Sequence, residues 1–204
     1  EILMKGNVYN IWNKFYYGLL SNTLNDYLPP QVEDNVIKEK FKLPSQYALT
    51  LGRLSEAGWL QKGFDDLFKA LSILKSTGRL PAKFHLVMIG DGEYKAKLIK
   101  MISEYNLEKY VTHIDRTTRQ ETAEILRGSS YVVLPSRFEG QSMFLTETLA
   151  MGVPIITTKN TGASDMVIHN ETGLLCEYGK PDDLANTILT MEEKTLEELE
   201  EFRN

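Results

Sequence analysis

At 204 residues and 42% hydrophobic content, the chain can bury one full core but cannot build two large domains. Its 23 basic and 28 acidic side chains leave a net charge of -5, so nothing in the overall field favours nucleic acid, and any bound anion must be captured locally. The single cysteine, Cys176, excludes an internal disulfide and every multi-cysteine metal site, and it suits a reducing compartment such as the cytoplasm.

Residues 1–46 form a first segment, expected to be a linker with an interdomain or capping helix. Tyr9, Trp12, Phe15, Tyr16, Leu19 and Leu20 recur at helical spacing and predict an aromatic helix face, which Pro29-Pro30 ends. Packing on the core or on a missing half is the expectation. Only Lys5 and Lys14 offer basic support for a membrane surface, so membrane association is at most peripheral, at the inner face. No run approaches the roughly 18 apolar residues needed to span a bilayer. A start at Glu1 without a signal-peptide layout, and a charged run that stops at Asn204, read as a piece of a longer polypeptide.

Residues 47–192 alternate short β-type runs with helical patterns, as a parallel sheet with covering helices requires. The candidate strands are Tyr47 to Leu51, Phe84 to Ile89, Tyr110 to Ile114, Tyr131 to Leu134, Val153 to Thr157 and, more weakly, Gly173 to Cys176. Phe64, Leu67, Leu71 and Leu74 mark one apolar helix face. Further helices fit Glu93 to Tyr105, Gln120 to Arg127, Ser142 to Met151, Ser164 to Ile168 and Pro181 to Met191. The fold class is therefore α/β, a doubly wound, Rossmann-like parallel sheet of about six strands. Residues 193–204 read as an acidic helix or tail.

In such sheets ligands bind outside the carboxyl ends of the strands. The turns at that edge carry Gly52-Arg53, Lys62-Gly63, Gly90-Asp91-Gly92, the run Ser136 to Ser142, and Thr158 to Gly162. They are rich in glycine, charge and hydroxyls, whereas the opposite turns look like ordinary surface.

Glu139 lies in the turn after the fourth strand, and Glu147 lies eight positions later in the following helix. With a rise of about 1.5 Å per residue, Glu147 sits close enough to the helix start to reach a ligand there. Gly140 admits close backbone approach, and the amides around Gln141, Ser142 and Met143 can receive phosphate or sugar oxygens. A ligand carrying both a diphosphate and hydroxyls, such as a nucleotide sugar, matches these groups. A hydrolase acid and base pair is the weaker reading, because the helix amides favour an anion that a neutral glycan lacks. An isolated glutamate pair would read as a turn residue and a solvated helix flank.

The run Leu134-Pro135-Ser136-Arg137-Phe138-Glu139-Gly140, continued by Glu147 to Ile156, resembles the retaining glycosyltransferases of the GT-B fold, of the group 1 or family 4 type. Gly52-Arg53-Leu54, Lys62-Gly63, Ile89 to Gly92 and Asn170 to Leu175 extend the resemblance across Leu51 to Ala185. The resemblance implies a C-terminal donor-binding domain that lacks its N-terminal acceptor domain. It implies transfer of a hexosyl-type sugar from a nucleoside diphosphate sugar to an acceptor, with retention, in polysaccharide, lipopolysaccharide or other glycoconjugate biosynthesis. The acceptor could be a glycan, a glycolipid or a protein.

By the same resemblance, Arg53 and Lys62 hold the diphosphate, Glu139 contacts hydroxyls of the transferred sugar, and Glu147 accepts hydrogen bonds from the ribose. Gly52, Gly90, Gly140, Gln141, Ser142 and Met143 line the donor pocket, and the turn at Ile114 lies near the base. No cofactor and no metal are expected, since fixed cations and helix amides can stabilise the leaving group. The fragment alone is expected to be inactive. The sequence departs from the family pattern in an enlarged loop at Ser55 to Gln61, in Gln141-Ser142, and in Asp115-Arg116 after the third strand. Two other functions stay open, a nucleotide-sugar epimerase of the same architecture and a non-catalytic nucleotide- or glycan-binding module.

Overall fold

The computed structural model of the chain describes residues 34–138, 142–159 and 162–202. The aromatic stretch Tyr9 to Leu20 lies outside the described residues. Six strands form one sheet: β1 (Ala48–Leu51), β2 (Leu86–Ile89), β3 (Val111–Ile114), β4 (Tyr131–Leu134), β5 (Ile155–Thr158) and β6 (Gly173–Cys176). All five pairings are parallel, in the order β3-β2-β1-β4-β5-β6. This is the doubly wound, Rossmann-like arrangement that the alternation of elements predicts. The helices are α1 (Asp34–Phe41), α2 (Glu56–Lys62), α3 (Phe64–Ser76), α4 (Lys95–Glu104), α5 (Arg119–Arg127), α6 (Met143–Ala150), α7 (Pro181–Glu192) and α8 (Leu196–Glu201).

The strands are apolar on both faces because helices cover both. In β4, Tyr131 and Val133 join a core with α2, α3, α4 and α7, while Val132 and Leu134 join a second core with α1, α5 and α6. The stripe Phe64, Leu67, Leu71 and Leu74 of α3 is fully buried in the first core. The chain leaves β1 for the first face and β4 for the second. These neighbouring strands therefore open a crevice between their diverging turns.

Three expectations need correction or extension. The loop expected at Ser55 to Gln61 is largely helical: Ser55 caps α2 by accepting from the Gly58 amide at 3.1 Å, and Trp59 buries itself edge-on to the Phe64 ring, with centroids 5.5 Å apart. The helix expected at Ser164 to Ile168 does not form: residues 164–166 are turn and 167–168 irregular. Five residues repay helix nucleation poorly, and the chain beyond them makes a tight local bridge between His169 and Gly173 before β6. The acidic run after α7 forms α8, and Phe202 at its end is buried in the first core.

Candidate functional site

The carboxyl ends of β1 and β2 touch through their backbones. The Gly52 amide donates to the Ile89 carbonyl at 3.1 Å, and the Gly90 amide donates to the Ile114 carbonyl at 2.9 Å. A methyl group on Gly90 would fall 2.2 Å from the Gly52 oxygen, so only glycine permits this approach. Lys62, the last residue of α2, lays its stem over Gly52, where an added Cβ would meet the lysine Cγ at 3.0 Å. Arg53 follows Gly52 and is exposed. The helical insertion thus returns Lys62 to the end of the strand that carries Arg53.

The turn after β4 is fastened to the same place. Arg137 donates its amide to the Gln61 carbonyl at 2.7 Å, and its guanidinium reaches the Asp66 carboxylate at 3.0 and 3.2 Å. Asp66 is buried in the first turn of α3. Thr157 and Thr158 of β5 donate to the carbonyls of Leu134 and Ser136. Glu139, Gly140 and Gln141 lie outside the described residues. The chain resumes at Ser142, which caps α6 by accepting from the Leu145 amide at 3.4 Å, and Met143 beside it is exposed.

A cavity of about 310 Å3 opens between α5 and α6. Arg119, Thr122, Ala123 and Leu126 face it from α5, at the spacing of one helix face. Met143, Phe144 and Glu147 face it from α6, with Met151 just beyond and Leu51 of β1 completing the wall. The Glu147 side chain is 23% exposed and stands 3.9 Å from the Arg119 guanidinium. Burial pushes the Glu147 carboxyl up, and the Arg119 charge opposes that shift. Leu51 thus lines this cavity, and the next residue, Gly52, carries the Lys62 stem.

On the other flank, the Ile114 carbonyl accepts from the Gly90 amide, which ties the end of β3 to the turn after β2. Arg116 bonds Asp91 at 2.6 Å, bridging the turns after β3 and β2. This contact and the Gly92 amide hold the Asp91 carboxyl below its usual range. His113 shares a hydrogen bond with the Gly90 carbonyl at 2.7 Å, which makes it part of the same scaffold. Among the described residues no group of three or more His, Cys, Asp or Glu side chains is placed to hold a metal ion. None of the described helices is long and apolar enough to cross a membrane.

Residues 31–204 match the family model for glycosyl transferases group 1. The chain belongs to the glycosyl transferases group 1 family. It is 34% identical over 134 residues to an uncharacterized glycosyltransferase of Methanocaldococcus jannaschii, covering 64% of this chain and 35% of that protein. It is 28% identical over 166 residues to the amylovoran biosynthesis glycosyltransferase AmsK of Erwinia amylovora, covering 75% and 39% respectively. Both relatives are glycosyltransferases, AmsK one of amylovoran biosynthesis; the chain spans well under half the length of either. Among solved structures, HepE of Anabaena in complex with UDP and glucose superposes with a TM-score of 0.70 at 19% identity, covering 88% of this chain and 47% of that one. A glycosyltransferase from Rickettsia africae gives 0.71 at 19%, covering 90% and 48%. At these identities the likeness shows the shared GT-B, Rossmann-like fold.

For this group 1 member, the structure brings Gly52, Arg53, Lys62 and Gly90 to one edge and turns Met143 and Glu147 toward the adjoining cavity. Arg119 and Thr122 escape a reading of the strand-end turns, although they sit on the α5 face that points at Glu147. The signal available for Arg119 is its place directly after Thr118, where Thr118 and Glu121 form a capping box.

Proposed function

We propose that this chain is the donor-binding half of a retaining GT-B glycosyltransferase that moves a sugar from a nucleoside diphosphate sugar to an acceptor in glycoconjugate biosynthesis. One observation carries the reading: the Lys62 stem lies over Gly52 beside Arg53 at the end of β1, and the preceding residue, Leu51, lines the cavity that holds the half-buried carboxylate of Glu147. A nucleoside diphosphate has the complementary parts, two phosphates for the cations and a ribose diol for the carboxylate.

In this reading Arg53 and Lys62 neutralise the charge that grows on the departing diphosphate, in place of a bound metal or cofactor. The start of α6, from Ser142 to Met143, adds backbone donors aimed at the same anion. Glu139, Gly140 and Gln141 take the roles that the family resemblance implies, with Glu139 on the transferred sugar. The base lies near Ile114, where the backbone just beyond that residue reads its edge. The acceptor, whether glycan, glycolipid or protein, is held by an N-terminal half, and the protein works in the cytoplasm, at most peripheral to the membrane. Catalysis then rests on positioning and leaving-group stabilisation, and the chain by itself binds donor with little transfer.

Calorimetric titration with UDP, GDP and ADP and their sugar conjugates tests the reading. Selective binding of one nucleotide, weakened by Lys62→Ala, is the expected result. Equal, weak binding of all three that is unaffected by Lys62→Ala would overturn it.

A further inference from the structure

Resting on the nucleotide-donor reading, the strongest further observation is the arrangement of charges inside the cavity between α5 and α6. Its wall is mainly apolar, from Leu51, Ala123, Leu126 and Phe144, yet it contains one cation and one carboxylate. Arg119 Nη2 and Glu147 Oε1 are 3.9 Å apart. A direct charged hydrogen bond would be about 2.7–2.9 Å long, so this pair attracts across a gap and leaves oxygen lone pairs available to another donor.

Arg119 is itself held in place. It is the first residue of α5, and the preceding turn is closed by a capping box in which the Thr118 amide donates to Glu121 Oε2 at 2.7 Å and the Glu121 amide donates to Thr118 Oγ1 at 3.2 Å. Lys40 of α1 also pairs with Glu121, so a second helix braces the cap. Glu147 is fixed on the facing helix behind the Ser142 cap. The two charges are therefore carried by separately anchored helices.

We propose that Arg119 is the positioning residue for Glu147, tethering its carboxylate across the cavity so that the carboxylate takes both ribose hydroxyls of a nucleoside diphosphate. A carboxylate has room for two hydroxyl donors on its two oxygens. Arg119 supplies the opposite charge that keeps those oxygens turned into an apolar cavity. The diphosphate is left to Arg53 and Lys62, neither of which lines this cavity, so Arg119 acts on the ribose end alone.

The test compares the chain with its R119Q, R119K and E147Q variants in titrations with UDP, GDP and ADP and with their 2′,3′-dideoxy counterparts. The Arg119 side chain is 48% exposed, so substitution there leaves the core intact, and a thermal melt of each variant checks this. For the nucleotide that binds, R119Q is expected to weaken the ribose form by about tenfold and the dideoxy form by less than about twofold, with R119K recovering most of the loss. Equal weakening of both forms, or of neither, would overturn the positioning role. If E147Q removes the preference for ribose while R119Q leaves it intact, the role of Arg119 falls and the donor reading stands. If the unaltered chain binds nucleotide with no preference for ribose and E147Q changes nothing, the ribose assignment of this cavity falls, and the role of Arg119 with it.

Discussion

Gly63 lies against the carbonyl of Pro135, so closely that a methyl group on Gly63 would stand 2.1 Å from that oxygen. The contact joins the end of the helix that carries Lys62 to the turn that leads to Glu139. Gly63 also has a left-handed backbone, with φ of 66°. Gly78 has nearly the same φ, 68°, but nothing within 4 Å of an added Cβ. Gly78→Ala should therefore cost only the left-handed strain, about 1–2 kcal/mol. Gly63→Ala should cost a further amount of about 1–3 kcal/mol from the backbone clash, measurable as the difference between the two urea midpoints. Equal losses would mean that the contact yields without strain.

Glu147 couples binding to stability with opposite signs. Its folded-state carboxyl binds a proton more tightly than the unfolded chain does, because burial disfavours the charge. Its contribution is thus most favourable below the ordinary value of 4.5 and is lost as pH rises through the higher folded value. Glu147→Gln should be at least as stable as the unaltered chain at pH 7, and the gap between them should close as pH falls toward 4.5. The same substitution should weaken nucleotide binding by roughly tenfold to a hundredfold, from the lost charged hydrogen bonds. Melting curves across pH, paired with calorimetry, check both halves of the prediction.

Arg53 and Lys62 act on phosphate, so their removal should be felt in proportion to phosphate charge. Arg53→Ala and Lys62→Ala should each weaken a nucleoside diphosphate by about 1.5–3 kcal/mol and the bare nucleoside by little. Raising salt should erode the diphosphate affinity of the unaltered chain more than that of either variant. Titrations of UDP against uridine at two ionic strengths would reveal the difference.

Trp59 holds the helical insertion on the core. It is fully buried, and Lys97 lies over its ring at 4.6 Å while also pairing with Asp65 at 3.2 Å. Trp59→Ala should cost about 3–5 kcal/mol and loosen the placement of Lys62. The indole Nε1 is buried without a hydrogen-bond partner, so Trp59→Phe sheds an unsatisfied donor along with some volume. It should cost far less than the alanine variant, within about 1.5 kcal/mol. Denaturant titration of both variants provides the comparison.

The strands are legible because each is a short apolar run set among helical patterns; β4 and β6 have the expected limits, and the other four differ from them by at most two residues at either end. The helix α2 escaped because Glu56-Ala57-Gly58-Trp59 has no apolar period, and its stability comes from the single Trp59 anchor and from its caps. The stretch Ser164 to Ile168 has helical spacing but is only five residues long, too short to repay nucleation. In the site, residues in strand-end turns are legible because topology alone brings those turns to one edge. Arg119 is not, since its relation to Glu147 depends on the packing of α5 beside α6. A helix face toward the core and one toward a ligand have the same sequence period.

The chain's one cysteine turns the far edge of the sheet into a reporter. Cys176 is buried in β6 with its thiol directed at the Thr157 carbonyl, 3.4 Å away, and burial pushes that thiol up to about 12. At neutral pH it offers almost no thiolate to an alkylating reagent while the strand stays paired. Labelling would then count openings of the β5–β6 edge over time at this one position, with no second thiol to confuse the signal. Nucleotide bound at the switch point, across β4 and β5 from that edge, would slow the labelling if the sheet opens as a unit and leave it unchanged if the edge frays alone.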